Sequence, residues 1–503
     1  MKRVPKSMVE QWERLCKDIQ SSTIVDTFET PAQQQARIKR AKKDYKFFFE
    51  YYFPHYAKSP CASFHIEFAN AVKENKVIDV VFEAYRSSAK STHAVLGTPI
   101  WLYINVELNG MIVVGDTDKK ATKLLGTIQA EFQYNKRLIH DFGDQVSSGN
   151  WTSGEFSTKN GVGFYSLGLG SSPRGVKENE KRPDYILIDD ADTKERCKNP
   201  KRVREAVEWI LEDLRGCFDS ADYAIERFVI ANNRIHKNSI LVNCLKDLPE
   251  AFHLKVNALD ENGEPTWPSK TSKEYWEKKR KKTTYRSFQR EYMNNPIEDG
   301  NIFLEEWIQY KKPLPLSEYD FIVGYADLSY TSTGDFKAMP IVCKKGKEYM
   351  VNFVFCQQSS TTKVVKWLYT THEDNLKEVH PEYWYEGSFI QADFFRDDFD
   401  NEGEARGWYI PIRADKESKA NKFIRIENMS ATFELGWMYF NEDLKNSIDM
   451  KNAIDQILAF EKGSNAPDDF PDALQGAVKK LNKRTKKEAF APKIAKRKPR
   501  LRW

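Results

Sequence analysis

The sequence predicts an α/β chain of two domains, and three observations carry that expectation. Between about residues 77 and 232, short apolar runs alternate with polar, helix-like stretches, the pattern of a parallel sheet buried on both faces. Past Asp320 the pattern changes, and three β-rich runs follow one another with only short turns between them. Separating the two is Asn294–Tyr319, where Pro296, Pro313 and Pro315 mark a linker. With 503 residues the chain can bury a proper core in each half.

The elements follow in order. Residues 1–60 are charged and aromatic (KRAKKDYKFFFEYYFPHY) and read as helices forming a lid or lead-in. Residues 61–300 hold the first sheet, with strands expected at VIDVVFEA (77–84), MIVVGD (111–116), GVGFYSLG (161–168), YILIDD (185–190) and RFVIAN (227–232). A basic helix is expected over 269–290, then the linker over 301–319. The second domain, 320–480, opens with FIVGYADLSY, FKAMPIVCKK and EYMVNFVFCQ, joined so closely that they pair antiparallel. A helix (361–377), the strand EYWYE (382–386), further helices and a last helix from about Asp472 follow. Three antiparallel strands and then alternating α/β is the order of RNase H-like nucleases. Residues 481–503 form a basic tail.

Composition narrows the class. Hydrophobic residues make up 40%, which excludes collagenous and low-complexity chains, and no apolar stretch reaches the ~20 residues of a membrane span. The N-terminal stretch lacks an apolar signal region, and the seven scattered cysteines include no CxxC pair, so a reducing cytosol is expected. The net charge of +5 conceals an asymmetry. Lys479–Trp503 holds twelve Lys/Arg and one acid, whereas the rest holds 66 basic and 72 acidic residues. A basic arm on an acidic body points to a polyanion, although a solvated tail without a partner has the same composition.

Two constellations carry chemistry. The first strand runs into AYRSSAKST, Ala84 to Thr92. A phosphate-binding loop wraps backbone N–H groups around phosphates, reaches them with a lysine and holds Mg²⁺ with a hydroxyl. Here Ala84 and Ala89 replace both glycines of the pattern GxxxxGK[ST], and Lys90 and Ser91 are in place. A helix start with an incidental Lys-Ser is the other reading. About a hundred residues on, YILIDD ends a strand on Asp189 and Asp190, expected on a neighbouring strand to the loop, where Mg²⁺ and an attacking water need carboxylates. RFVIANNRIH ends a third strand in polar amides that could sense a γ-phosphate.

The second constellation is acidic. Two-metal phosphodiester hydrolysis needs three or four carboxylates converging from separate elements. Asp327 lies near the end of one strand, Glu386 ends another, and Asp468, Asp469 and Asp472 surround the start of the last helix. Asp335, Asp393 and Asp397–Asp400 are reserves. No histidine pair has metal-ligand spacing, so oxygen ligands and Mg²⁺ or Mn²⁺ are favoured over zinc.

Taken together, these motifs resemble the large terminase subunit of tailed bacteriophages, the motor and nuclease that packages viral DNA. YRSSAKST, LGLGSSPRG leading to RPDYILIDDAD, NNRIHKNSI, EYMNNPIEDG, YEGSFIQADFF and PDDFPDALQGAV carry the similarity, from about residue 60 to 480. The resemblance implies an N-terminal P-loop ATPase domain of ASCE type with a parallel sheet and a C-terminal RNase H-like nuclease domain. It implies that ATP is cradled by Ala84, Arg86, Ser87, Ser88, Ala89, Lys90, Ser91 and Thr92, with Arg86 stabilising the transferring phosphoryl group and Ser91 and Asp189 on Mg²⁺. Asp190 stands where relatives carry a catalytic glutamate, one methylene short, and Asp192 is the alternative base. Asp327, Glu386 and Asp469 match the nuclease metal ligands, with Asp468 sharing the last site. Pro467 sits where many relatives have histidine. The implied partners are double-stranded DNA, the portal protein, a small terminase subunit and further copies of the chain in a ring, a pentamer by that likeness, with no membrane. The place of action is the host cytoplasm, outside the mature virion. A DNA helicase or repair ATPase with an accessory nuclease, or a DNA-binding scaffold without catalysis, are the competing readings.

Overall fold

The computed structural model describes residues 6–173, 181–328, 336–386, 389–417, 421–464 and 466–484, with backbone only at 6–9 and 389–396. The basic tail beyond Arg484, Asp335 and the side chain of Asp393 therefore lie outside the described residues. The chain divides into two compact units, Met1–Pro296 and Ile297–Trp503.

Unit 1 is built on an eight-stranded sheet. Its strands are β1 (Val77–Ala84), β2 (Gly110–Gly115), β3 (Val146–Thr152), β4 (Glu155–Thr158), β5 (Gly163–Gly168), β6 (Tyr185–Asp189), β7 (Glu226–Asn232) and β8 (Phe252–Val256). Their order is β3-β4-β5-β2-β6-β7-β1-β8. From β5 to β8 every pairing is parallel, and the β3–β4 and β4–β5 pairings at the other edge are antiparallel. β2 and β6 are buried at every position, as their unbroken apolar runs require when helices cover both faces. One expectation is corrected here: β6 is not the neighbour of β1, because β7 lies between them. Parallel pairing still brings the C-terminal ends of all three strands to one edge, where open α/β sheets bind ligands.

The lead-in helices, Lys6–Ser22, Pro31–Lys43 and Tyr45–Tyr52, are part of this unit's core rather than a loose lid. Tyr45, Phe48, Phe49, Tyr52 and Phe53 are buried in one cluster with Trp101 and Ile100. Gly97 belongs to that contact, since a Cβ there would collide with the Tyr45 hydroxyl and lie 2.9 Å from the Phe49 ring. The expected single basic helix is two, Lys273–Lys281 and Tyr285–Tyr292, broken where Thr284 caps the second.

Unit 2 carries a seven-stranded sheet: β9 (Gln309–Lys311), β10 (Phe321–Leu328), β11 (Phe336–Lys345), β12 (Glu348–Gln358), β13 (Glu382–Glu386), β14 (Ile412–Asp415) and β15 (Met438–Asn441). Its order is β14-β13-β10-β11-β12-β15-β9. β10, β11 and β12 form the expected antiparallel meander, and β13 and β14 add parallel to β10. This is the RNase H-like arrangement. The segment read as a linker is corrected in part: it contributes β9 to the edge of this sheet, and the division falls earlier, after Pro296. The last helix, Asp469–Asn482, starts three residues before Asp472 and buries Phe470, Leu474, Ala477 and Leu481.

Candidate active sites, one in each unit

In unit 1 the turn after β1 has the backbone of a phosphate cradle without its glycines. Ser87 and Ala89 both have positive φ, +71° and +65°. Alternate residues in that conformation fold successive N–H groups into an anion-binding nest. A helix begins at Lys90, passes through a wide π-type turn (Thr92–Gly97) and continues to Ile104, so its N-terminus faces the nest. Four successive loop residues are held from outside. The Tyr85 ring packs edge-on to Trp276, the Arg86 N–H donates to Glu291 O (2.8 Å), Lys270 Nζ donates to Ser87 O (2.6 Å), and Ser88 O accepts from His65 Nε2 (2.7 Å).

His65 is a strut. Its Nδ1 accepts from the Ala62 N–H, so Nε2 carries the proton. Its ring stacks on His93 at 3.8 Å, and His93 in turn bonds the Tyr45 hydroxyl at 2.7 Å. Burial pushes His65 down to about 4, which keeps it neutral. Cys61, His65 and His93 present ligand atoms within 4.8 Å of one another. The Ala62 N–H occupies the only His65 lone pair, however, and stacked parallel rings cannot both point at one ion. The cluster is scaffold.

The charged groups converge across the intervening strand. Ser91 Oγ donates to Asp189 Oδ1 at 2.9 Å, joining the loop helix after β1 to the end of β6. Burial lowers the affinity of the Lys90 ammonium for its proton, opposed by Asp189, Asp190 and Glu291. Burial raises Asp189 to about 6, opposed by Lys90 and Ser91. A hydroxyl and a carboxylate joined beside a buried ammonium suit a Mg²⁺–triphosphate. Asp190 and Asp192 differ sharply. Asp190 is exposed with φ +49°. Asp192 is buried, and its carboxylate accepts from Asn232 Nδ2 (2.8 Å), Ile240 N (2.7 Å), Leu241 N (3.3 Å) and Cys197 Sγ (3.6 Å). It anchors the N-terminus of helix Ile240–Asp247 to the end of β7.

Sequence reasoning missed Glu83 and Glu291. Glu83, fully buried at the end of β1, takes a two-pronged bond from Arg234 (2.9 and 2.8 Å) and one from His253 (2.9 Å). Glu291 faces Arg86 at 3.4 Å, leaving the Arg86 side chain 68% exposed. Both contacts join residues more than 150 positions apart, so no local motif announces them. Ala84 and Thr92 bracket the loop, and the Ser88 hydroxyl is buried without a hydrogen-bond partner among the described residues.

In unit 2, Asp327 is the penultimate residue of β10 and Glu386 the last of its parallel neighbour β13. Asp472, in the first turn of the last helix, comes down onto them. One carboxylate oxygen from each lies within 4.8 Å of the others. Asp469 adds its charge to the same place: burial, then Asp469, Asp472 and Glu386, push the Asp327 carboxyl well above its ordinary value, with Lys422 opposing. Asp468 instead bonds Lys422 Nζ at 2.8 Å. Lys422 also lies 3.4 Å from Asp472, and Arg425 lies 3.0 Å from it. Sequence reasoning left Asp468, Asp469 and Asp472 as candidates and matched Asp469 to the metal-ligand position; the geometry brings Asp472 to Asp327 and Glu386 and adds Lys422 and Arg425. Among the reserves, Asp398 accepts a bond from the Thr362 hydroxyl. Asp415, beside Glu386 on β14, is taken by Lys480 (2.7 Å) and Tyr325 (3.0 Å). Three crowded carboxylates with oxygen donors alone suit Mg²⁺ or Mn²⁺.

No protein-family model matches the sequence, and no curated protein sequence matches it. Among solved structures the chain is similar to the large terminase of a thermophilic bacteriophage, at 14% identity over 84% of this chain and 99% of that one, with a TM-score of 0.32. It is similar to the bacteriophage HK97 large terminase, at 11% identity over 87% and 99%, with a TM-score of 0.36. The human cytomegalovirus terminase nuclease domain matches 35% of this chain over 94% of its own, at 13% identity and a TM-score of 0.27.

Proposed function

We propose that the chain is a viral DNA-packaging motor subunit: unit 1 hydrolyses ATP to drive DNA translocation into a procapsid, and unit 2 is a metal-dependent endonuclease that cuts concatemeric DNA. One observation carries the reading. A single chain holds two separate clusters whose chemistry suits displacement at phosphorus: Lys90, Ser91 and Asp189 in unit 1, and Asp327, Glu386 and Asp472 in unit 2.

In unit 1 the nest at 85–89 receives the phosphates and the Lys90 ammonium meets the β and γ oxygens. Ser91 and Asp189 would hold Mg²⁺, which when bound neutralises charge on those oxygens. Asp190, exposed at the strand end, takes the proton of the attacking water, while Asp192 is committed to Asn232 and the helix it caps. Arg86 swings from Glu291 toward the transferring phosphoryl group. Asn232, bonded to Asp192 at the end of β7, links the site to helix Ile240–Asp247. In unit 2, Asp327, Glu386 and Asp472, with Asp469 beside them, would hold divalent ions, which when bound activate water and stabilise the leaving oxygen. Lys422 and Arg425 balance the acidic charge beside the scissile phosphate.

The portal protein, a small terminase subunit and a pentameric ring of copies are the partners this reading implies, acting in the host cytoplasm. Among the described residues no helix is long and apolar enough to cross a membrane. Adding purified procapsids, DNA and ATP and scoring DNA protected from DNase tests the motor assignment. ATP turnover and plasmid cleavage without ATP-dependent protection would return the chain to the helicase or repair class. Absence of both activities would make it a scaffold.

A further inference from the structure

The two helices at Lys273–Lys281 and Tyr285–Tyr292 belong to unit 1, and apart from Glu291, which faces Arg86, their charged groups are not used by the ATP site itself. Residues 269–290 hold nine Lys/Arg against two acids, and Lys278 to Lys282 are five consecutive basic residues. A helix C-terminus is stabilised by one or two cations through its dipole. Five in succession repel one another and exceed that need. Some are committed locally: Lys270 to Ser87 O, Lys273 to Glu264, Arg290 to Glu291, while Arg280 lies over the Phe288 ring at 5.1 Å. Lys278, Lys281 and Lys282 are exposed, and Lys281 and Lys282 make no side-chain hydrogen bond or ion pair among the described residues.

The same arm is fastened to the phosphate loop residue by residue. Its buried Trp276 meets Tyr85 at 5.9 Å and also packs on Phe288 and Tyr292. Glu291 O receives the Arg86 N–H, and Lys270, just ahead of the first helix, bonds Ser87 O. Three consecutive loop residues therefore cannot shift without moving the cationic surface.

We infer that the exposed lysines Lys278, Lys281 and Lys282 are the surface by which unit 1 grips the phosphates of duplex DNA, and that Trp276, Glu291 and Lys270 report that grip to the nucleotide loop. The inference rests on the packaging reading and names its DNA-contacting face. Lysine contacts to phosphate carry no base information, so the grip is independent of sequence, as movement along a genome requires.

The test uses the full chain with Lys278→Ala, Lys281→Ala and Lys282→Ala combined, leaving the ATP site untouched. Fluorescence anisotropy with mixed-sequence duplex DNA, without ATP, is run across a salt series beside ATP turnover with and without DNA. The expected result is at least tenfold weaker binding at low salt, with the slope of log K against log salt shallower by about 2.7, the value for three fewer neutralised phosphates. Basal ATP turnover is expected to stay at wild-type level while its stimulation by DNA disappears. An unchanged salt slope with stimulation intact overturns the inference. So does loss of binding to an acidic polypeptide with duplex binding untouched. Because the DNA titration needs no ATP, a chain lacking basal turnover would sink the ATPase reading and leave the grip separately measured.

Discussion

Asp327→Asn should make the metal-free protein more stable while destroying the nuclease. In the wild type three carboxylate oxygens crowd within 4.8 Å. At an effective dielectric constant of 20, each like-charged pair at that distance costs about 3 kcal/mol. Lys422 and Arg425 recover part of it, and the raised Asp327 carboxyl escapes part by holding a proton. The net gain from an isosteric amide is about 1 kcal/mol, a rise of about 2–4 °C in the midpoint for a unit of this size. Mn²⁺ reverses the order. An ion at a hundredfold its dissociation constant stabilises the wild type by about 2.7 kcal/mol, and the variant forfeits that. Scanning calorimetry of the full chain with and without Mn²⁺ reads both effects, with plasmid cleavage and ATP turnover alongside. A metal-free variant melting at or below wild type, or one that Mn²⁺ still stabilises equally, would refute the placement of these acids around an ion. Loss of ATP turnover in the folded variant would refute the separation of the two sites.

Lys90→Ala should abolish ATP turnover and packaging while Mn²⁺-dependent cleavage persists, measured on one preparation. Asp190→Asn should bind ATP without hydrolysing it, whereas Asp192→Asn should lose about 1–3 kcal/mol of stability, because Ile240 N and Leu241 N lose a charged acceptor; denaturant titration and ATP binding distinguish the two. Ala89→Gly relieves a left-handed alanine worth roughly 1–2 kcal/mol and costs roughly 0.5–1 in chain entropy, so stability should stay level or rise by about 1 kcal/mol with turnover retained. A clear loss of stability there would contradict the loop geometry. Burial would raise the Glu83 carboxyl, yet bonds from His253 and Arg234 hold it below its ordinary 4.5. Its stabilisation is complete above that value and lost as pH falls through the lowered one, so Glu83→Gln should flatten the acid limb of the unfolding curve.

Much of the fold was legible, because strands buried on both faces write unbroken apolar runs. β1, β6 and β7 appear in the sequence within a residue of their observed ends. β9, β14 and β15 do not, since three or four residues carry no periodicity and depend on the neighbour they pair with. The sites divide the same way. Asp189, Asp327 and Glu386 stand at strand ends and Lys90 at a helix start, where a local pattern marks them. Asp472 could not be singled out from Asp468 and Asp469, because helix geometry, with Asp469 and Asp472 three positions apart, decides which acid turns inward. Lys422, Glu83 and Glu291 meet partners far along the chain, and nothing nearby in sequence marks them.

The struts of the phosphate loop also impose a timetable on synthesis. Tyr45 and His65 leave the ribosome before the loop does, and His93, which joins them, follows the loop at once, so Ser88 O can meet His65 soon after residues 85–92 emerge. The other supports, Lys270, Trp276 and Glu291, arrive about 180 to 200 residues later. At ~5–20 residues per second that is a gap of about 10–40 s. Through that interval the nascent chain carries Lys90 and Ser91, joined about 100 residues on by Asp189, with the loop braced from one side alone. A ribosome stalled before residue 270 would display a half-supported nucleotide site, and one stalled after residue 330 a finished one, so ATP capture by arrested chains of graded length would date the moment at which the motor becomes competent.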